Sequence, residues 1–476
     1  ILSKNPVGSV CIVPPRCRQV LQEYVAIRSA ACGSFVRGVL LVLTRCGTVA
    51  VLARIRFPPR PMNSPLRISL VLPLALLLGS AVSAQEWTRF RGPNGTGISP
   101  ATGIPVTWTE QDYRWRQPIS GESHAQPVIW GERLFLPTAL DAGRERALLC
   151  LRKTDGVELW RKVYTLPTHR PGNRNSGYAN SSAVVDAERV VALFVSRDHF
   201  WVRAFSHDGA ELWARDLGGF VSQHGHGASP IIHEGMVIVT NEQDGASVVL
   251  ALDAKTGRTV WSAPRRTAKS GAAYGTPSLH PRADGGLEMI LTSQAHGISA
   301  LDPKSGDLLW EAPVFDKRMV ASPVVAGDLV IGSCGQGGGM GNYLSAVKRG
   351  GKGDVSATHV AYTLRKATPY VPTPLYRNGV AYLISDSGFA TAIEAATGRE
   401  LWSERLRAEF FASPVLIENR IYVPTSKGEM LVLGTGDAFE LIARNPLGEG
   451  THSTPCVDGG RLYVKTFTHL VCIGAK

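Results

Sequence analysis

Five times in this chain a short strand-like run ends in a tight turn whose glycine is followed, four residues later, by tryptophan. The copies CLRKTDGVELW, AFSHDGAELW, ALDAKTGRTVW, ALDPKSGDLLW and AIEAATGRELW close at Trp160, Trp213, Trp261, Trp310 and Trp402. The first four stand 53, 48 and 49 residues apart and the last pair 92, close to two periods. A repeat of about forty to fifty residues built from short strands predicts a radial array, and the β-propeller fits it. In ALDAKTGRTVW, Asp253 and Thr256 are placed to hydrogen-bond the turn, and Gly257 supplies the positive φ of the reversal. One such tryptophan would read as an ordinary core residue. Five at one offset from a glycine predict docking, each outer-strand ring burying a face on the neighbouring blade.

A second element recurs upstream of each turn. It is a hairpin whose first strand opens with a small or polar residue and a proline, at Pro127, Pro230, Pro277, Pro323, Pro374, Pro414 and Pro455; an eighth copy, from Ser181, lacks the proline. Proline is tolerated there because a first strand position needs no ladder bond. Hairpin plus tryptophan motif makes four strands, and there are eight units. The fifth carries a glycine-rich insertion and Tyr362 where tryptophan would fall; the seventh, LVLGTGDAFELI, has no tryptophan. The eighth ends by Gly474 after three strands, so YRWRQPI around Trp115 is expected to supply its fourth. The fold class predicted is all-β: an eight-bladed propeller of four-stranded antiparallel blades over residues 110–476, closed by an N-terminal strand on the last blade with no open edge.

The front of the chain reads differently. Residues 62–84, from Met62, look like a secretory signal peptide, with Arg67, an apolar run from Ile68 to Leu78 and the small residues Val82 and Ala84 before a cleavage site at Gln85. The run is too short to span a membrane. Residues 1–61 lie upstream of that signal and are read as a non-native extension, against the alternative of a basic N-terminal extension; residues 85–109 form an N-terminal segment. Of the net charge of +12, the first 61 residues hold nine Lys/Arg and one acid, so the remainder from Gln85 is nearly neutral. No Lys/Arg cluster tracks a nucleic-acid backbone, and that partner is excluded. Cys150, Cys334, Cys456 and Cys472 form no C-x-x-C or vicinal pair, so buried thiols are expected rather than a metal or redox site.

The motif A-x-D-x-x-T-G-x-x-x-W at Ala251–Trp261 and Ala300–Trp310, with the proline-started hairpins, resembles the PQQ-like β-propeller repeat family across about residues 110–474. The run QEWTRFRGPNGTGIS from Gln85 resembles the W-x-x-F-R-G-P-x-G-x-G opening of secreted, planctomycete-type members. Two branches imply different functions. Quinoprotein alcohol dehydrogenases hold pyrroloquinoline quinone (PQQ) and calcium in the central funnel; assembly lipoproteins of the BamB type bind no cofactor and hold partner proteins. The chain lacks the vicinal Cys-Cys of many of the former and a cysteine after the signal, as lipid anchoring of the latter requires.

Residues just before each first strand should face the channel at one end of the ring. Three or four positions before the proline stand His124, His226, Tyr274, Tyr370, Phe411 and His452, with Tyr178 and Asn180 in the second unit. They are the candidate ligand-binding ring, against the plainer reading that they only satisfy strand ends and channel water. The ring contains no carboxylate. The histidines of QHGHG at Gln223–Gly227 stand two apart without a third ligand and read as loop; GQGGGMG at Gly335–Gly341 lacks the Lys-Ser/Thr of a phosphate loop and reads as a flexible loop, a candidate lid. Trp115, Trp160, Trp213, Trp261, Trp310 and Trp402 are the structural docking set. No catalytic set or metal site is signalled. The expected protein is an exported monomer, periplasmic or extracellular, acting as a non-catalytic scaffold for an envelope or extracellular protein partner or a small ligand, without a cofactor; the alternative is a dehydrogenase using PQQ with calcium.

Overall fold

The computed structural model describes residues 40–44, 47–51, 87–167, 175–267, 272–337 and 341–474. The chain divides into two units, Ile1–Ala81 and Val82–Lys476. In the first, Leu40–Thr44 and Gly47–Val51 pair as an antiparallel hairpin. The expected signal peptide and cleavage site, residues 62–85, lie outside the described residues.

The second unit is an eight-bladed β-propeller. Blade one is Val128–Trp130, Arg133–Leu140, Glu145–Arg152 and Glu158–Thr165, paired antiparallel in that order. Seven further blades of four antiparallel strands follow at the repeat period, two of them gaining a short fifth strand in parallel, and Tyr113–Pro118 supplies the outer strand of blade eight by pairing with His469–Gly474. The ring therefore closes on itself, as the strand count required.

The tryptophan motif works by one geometry. In every blade the register between third and fourth strands slips beside the motif, as at Cys150/Leu151, Ala251/Leu252 and Cys472/Ile473, and blade four slips a second time at Gly297/Ile298. Such a bulge re-aims the outer strand, and the residue opposite it is the tryptophan, as Ala251 faces Trp261. The ring then lies on the turn glycine of the next blade. A Cβ on Gly257, whose φ is +69°, would stand 2.6 Å from the Trp213 ring. Glycine is thus needed there both for its backbone and for the bare surface it offers. Trp213 Nε1 donates to Ala254 O at 2.8 Å, Trp160 to His207 O at 2.9 Å, Trp261 to Pro303 O at 3.1 Å and Trp402 to Gly436 O at 3.2 Å. Trp115 completes the circle from blade eight, donating to Lys153 O of blade one. Tyr362 substitutes well: its ring covers Gly398 and its hydroxyl donates to Ala395 O.

Two junctions depart from this scheme. Trp310 donates to Glu288 within its own blade, and Glu288 in turn accepts from Arg349 of blade five at 2.7 Å. The insertion after blade five's third strand has displaced the usual turn, and Gly353–Asp354 adds in parallel to Trp310–Glu311. In blade seven Ala443 takes the tryptophan's place, and Trp108 fills the space from the N-terminal segment, donating to Pro446 O.

The residue before each proline has a second duty. Gln126, Ser182, Ser229, Thr276, Ser322, Thr373 and Ser413 each donate a backbone N–H to the hydroxyl of the equivalent residue one blade on, ending at Thr454. This inner hydrogen-bond ring is why that position is Ser or Thr. At blade one Gln126 stands instead, and its side chain bonds Pro455 O.

The N-terminal segment plugs the channel. Trp87 O and Thr88 O accept from Ile129 and Val185 of blades one and two. Asn94 exchanges two bonds with Leu279 of blade four, and Ile98–Ser99 runs parallel to Leu416–Ile417 of blade seven. Arg91, fully buried, donates to the carbonyls of Gly95, Thr96, Thr373, Pro374 and Pro414. A buried guanidinium is stable only when its donors are so filled. The W-x-x-F-R-G-P run is thus a cork for the ring.

Candidate functional site

Side chains alternate along extended backbone, so one fixed distance before each inner strand should face the axis. The structure picks out that distance: three residues before the proline position. His124, Asn180, Gly227, Tyr274, Val320, Val371, Phe411 and His452, one from each blade, all line a single cavity of about 290 Å³ at the channel mouth. Phe90 of the plug lines it too, so the cavity is closed at one end by the chain's own N-terminal segment.

Of the expected ring, His124, Asn180, Tyr274, Tyr370, Phe411 and His452 are brought together; His226 and Tyr178 are not. His226 stands one residue off the facing position and turns into the protein, bonded to Ser181 Oγ at 2.8 Å and Thr240 O at 3.1 Å, between Phe200 and Phe220. Tyr178 lies under the Arg146 guanidinium. The expected ring named no carboxylate, and the structure adds one: Asp386, from the loop after blade six's second strand, lines the mouth. Arg318, Asn175, Ser176 and His224 join it, so the QHGHG loop reaches the cavity through its first histidine. Gly337 lines it as well; residues 338–340 of the expected lid lie outside the described residues. Reading three positions back in every unit would have excluded His226, and with it Tyr370, which reaches the mouth from four positions back. Arg318 and Asp386 carry no motif.

The electrostatics follow from burial. His124 and His452 meet edge to face, centroids 4.7 Å apart, and Phe411 lies 4.2 Å from His452. Burial, with His452 and Lys465 adding positive charge, lowers His124 to about 3, and burial lowers His452 to about 4. Both imidazoles are neutral at pH 7. Burial raises Asp386 to about 6 although its oxygens accept from Tyr370 N at 2.6 Å and Val371 N at 3.0 Å. Burial also raises Tyr274 to about 12. Arg318 donates to Gln223 at 2.6 Å, and its positive charge offsets part of the burial that raises Tyr370.

Calcium takes about six to eight oxygen ligands. The cavity offers one carboxylate, both oxygens already engaged by backbone, and among the described residues no three His, Cys, Asp or Glu side chains are grouped to hold a metal. This donor set does not fit a calcium-bound quinone. Among the described residues no helix is long and apolar enough to cross a membrane. The four described cysteines are buried free thiols, Cys456 and Cys472 both facing Tyr463 on the strand between them.

Comparison with known proteins gives relatives of two kinds. Tetrathionate hydrolase of Acidithiobacillus ferrooxidans is 27% identical over 251 residues, 50% of this chain and 45% of that protein. The outer membrane protein assembly factor BamB of Moranella endobia is 25% identical over 278 residues, 55% of this chain and 66% of that one. The chain thus spans between 45% and 66% of the length of these curated relatives. Among solved structures, a europium-containing methanol dehydrogenase superposes with a TM-score of 0.63 at 11% identity, covering 81% of this chain and 90% of that one. BamB from Moraxella catarrhalis superposes at 0.52 with 18% identity, covering 75% and 97%. Both likenesses show the fold alone. The family profile of outer membrane protein assembly factor BamB matches residues 193–360 and 365–440, just over half of the sequence. The chain belongs to the PQQ-like β-propeller repeat family.

Proposed function

We propose that this protein is an exported, monomeric propeller that binds a ligand at its channel mouth without transforming it, and serves as a scaffold in the cell envelope or outside the cell. One observation carries the reading: a cavity lined by the same position of all eight blades and stoppered below by Phe90 and the N-terminal plug. Such one-ended cavities, with polar groups converging in an aromatic setting, are how proteins orient small ligands. Among the described residues no nucleophile is hydrogen-bonded to the His124 or His452 ring, and this supports binding over nucleophilic catalysis. The relatives named as assembly factors support a scaffolding role; fold by itself decides none of this.

The second reading is a quinoprotein oxidoreductase, favoured by the superposition on methanol dehydrogenase. Incubation of residues 85–476 with PQQ and calcium, followed by absorbance titration and dye-linked alcohol oxidation, separates the two. The binding reading expects no stoichiometric quinone and no turnover; bound quinone with turnover overturns it.

A further inference from the structure

One side of the channel mouth is a wall of rings that fix one another, with His452 at its centre. Phe411 lies against it, centroids 4.2 Å apart and planes tilted by 32°. His124 and Phe467 meet it edge to face at 4.7 Å and 5.1 Å. Blades seven, eight and one thus give their mouth positions to one continuous aromatic surface. Ring pairs at these separations attract one another, so the wall is in place before anything binds.

Phe467 is the informative member. It stands in the loop after blade eight's second strand, beyond the cavity lining, and is 40% exposed. A single exposed apolar side chain means little, but this one carries the wall outward from His452 to the rim. Blade four stands opposite blade eight in an eightfold ring, and it sets Tyr274 on the far side; Phe90 of the plug closes the base. The gap between has aromatic sides and an aromatic floor, and its volume of about 290 Å³ is at the small end for a ligand pocket. Charge does not choose the occupant. Arg318 and Asp386 both line the mouth, and the ammonium of Lys465 is turned to the carbonyls of Thr466 and Phe467. Resting on the reading of the mouth as a binding site, we infer that its ligand carries a single flat aromatic ring, held between Tyr274 and the His452–Phe411 wall with its substituents toward Phe467 at the rim.

Phenol and cyclohexanol carry the same hydroxyl on a flat and a puckered six-carbon ring, and ligand-observed NMR titration of the full chain with each tests this. Phenol binds in the millimolar range and cyclohexanol about fivefold more weakly. Phe411→Leu, which keeps apolar bulk, brings phenol down to the level of cyclohexanol. Phe467→Ser weakens phenol about twofold, and Leu212→Ser, at an exposed position on blade two's outer strand, changes neither compound. Equal binding of the two compounds, or a preference that survives Phe411→Leu, overturns the assignment. Should Phe411→Leu fail to fold, the exposed Phe467 still decides: phenol affinity untouched by Phe467→Ser overturns it as well. So does binding of neither compound at tens of millimolar. If a non-aromatic compound then binds the mouth, the ring is lost and the binding site stands; a mouth that takes nothing sinks both.

Discussion

The outer belt and the inner mouth of this ring are built from the same repeat and obey opposite rules. At five of the eight junctions the belt repeats the same residue types: bulge, tryptophan or tyrosine, and a bare turn glycine one blade on. At the mouth the equivalent position is different in nearly every blade: His, Asn, Gly, Tyr, Val, Val, Phe and His. Packing between like neighbours asks for the same answer at junction after junction. A ligand, unlike the ring, has no eightfold symmetry, so a site for it must break the repeat. The departure of the mouth from periodicity is therefore what marks it as functional.

Breaking the belt should cost the most. Deleting Tyr113–Pro118 removes blade eight's outer strand and the Trp115 contact with blade one, exposing an edge and leaving the ring unclosed. Loss of a single cooperative thermal transition is expected; an unchanged melt would refute closure. Trp261→Ala comes next, at about 3–5 kcal/mol for a buried aromatic, measured by chemical denaturation, while affinity at the mouth stays unchanged.

The buried His226 contributes to acid sensitivity. Burial lowers it to about 4, so between pH 4 and about 6.5 the unfolded chain binds the extra proton and stability falls as pH falls. Two and a half pH units correspond to the order of 3 kcal/mol. His124 and His452 act in the same direction; Asp386, raised to about 6, acts in the opposite one and gains stability as pH falls through 6. His226→Gln should flatten the slope of unfolding free energy against pH over this interval, and an unaltered slope would place the acid sensitivity elsewhere.

The same contrast explains what could be read from the sequence. Blade number, strand closure and the docking tryptophans were legible because turn chemistry and spacing repeat. Tyr362 and the missing tryptophan of the seventh unit were legible as departures, and the structure shows how each is managed, by an equivalent hydroxyl and by Trp108 from outside the repeat. At the mouth the sequence carried only the approximate offset, and one residue decides which way a strand-like side chain points; His226 was lost to that. Arg318 and Asp386 come from loops whose paths no local pattern encodes, and Gly92 and Arg91 belong to a motif whose target, the channel, is far away in sequence. The plug's role needed the ring in place before it had a meaning.

The smallest stability effect belongs to the mouth, and it bears on the central claim most directly. The double variant His124→Ala/His452→Ala should be compared with Trp261→Ala in two assays, unfolding free energy and binding of small aromatic fragments at the mouth. The account predicts that the histidine variant loses binding at a cost of about 1 kcal/mol, while the tryptophan variant loses stability and keeps binding. A histidine pair whose removal unfolds the ring, with binding never detected in any form, would make the mouth a structural plug and contradict it.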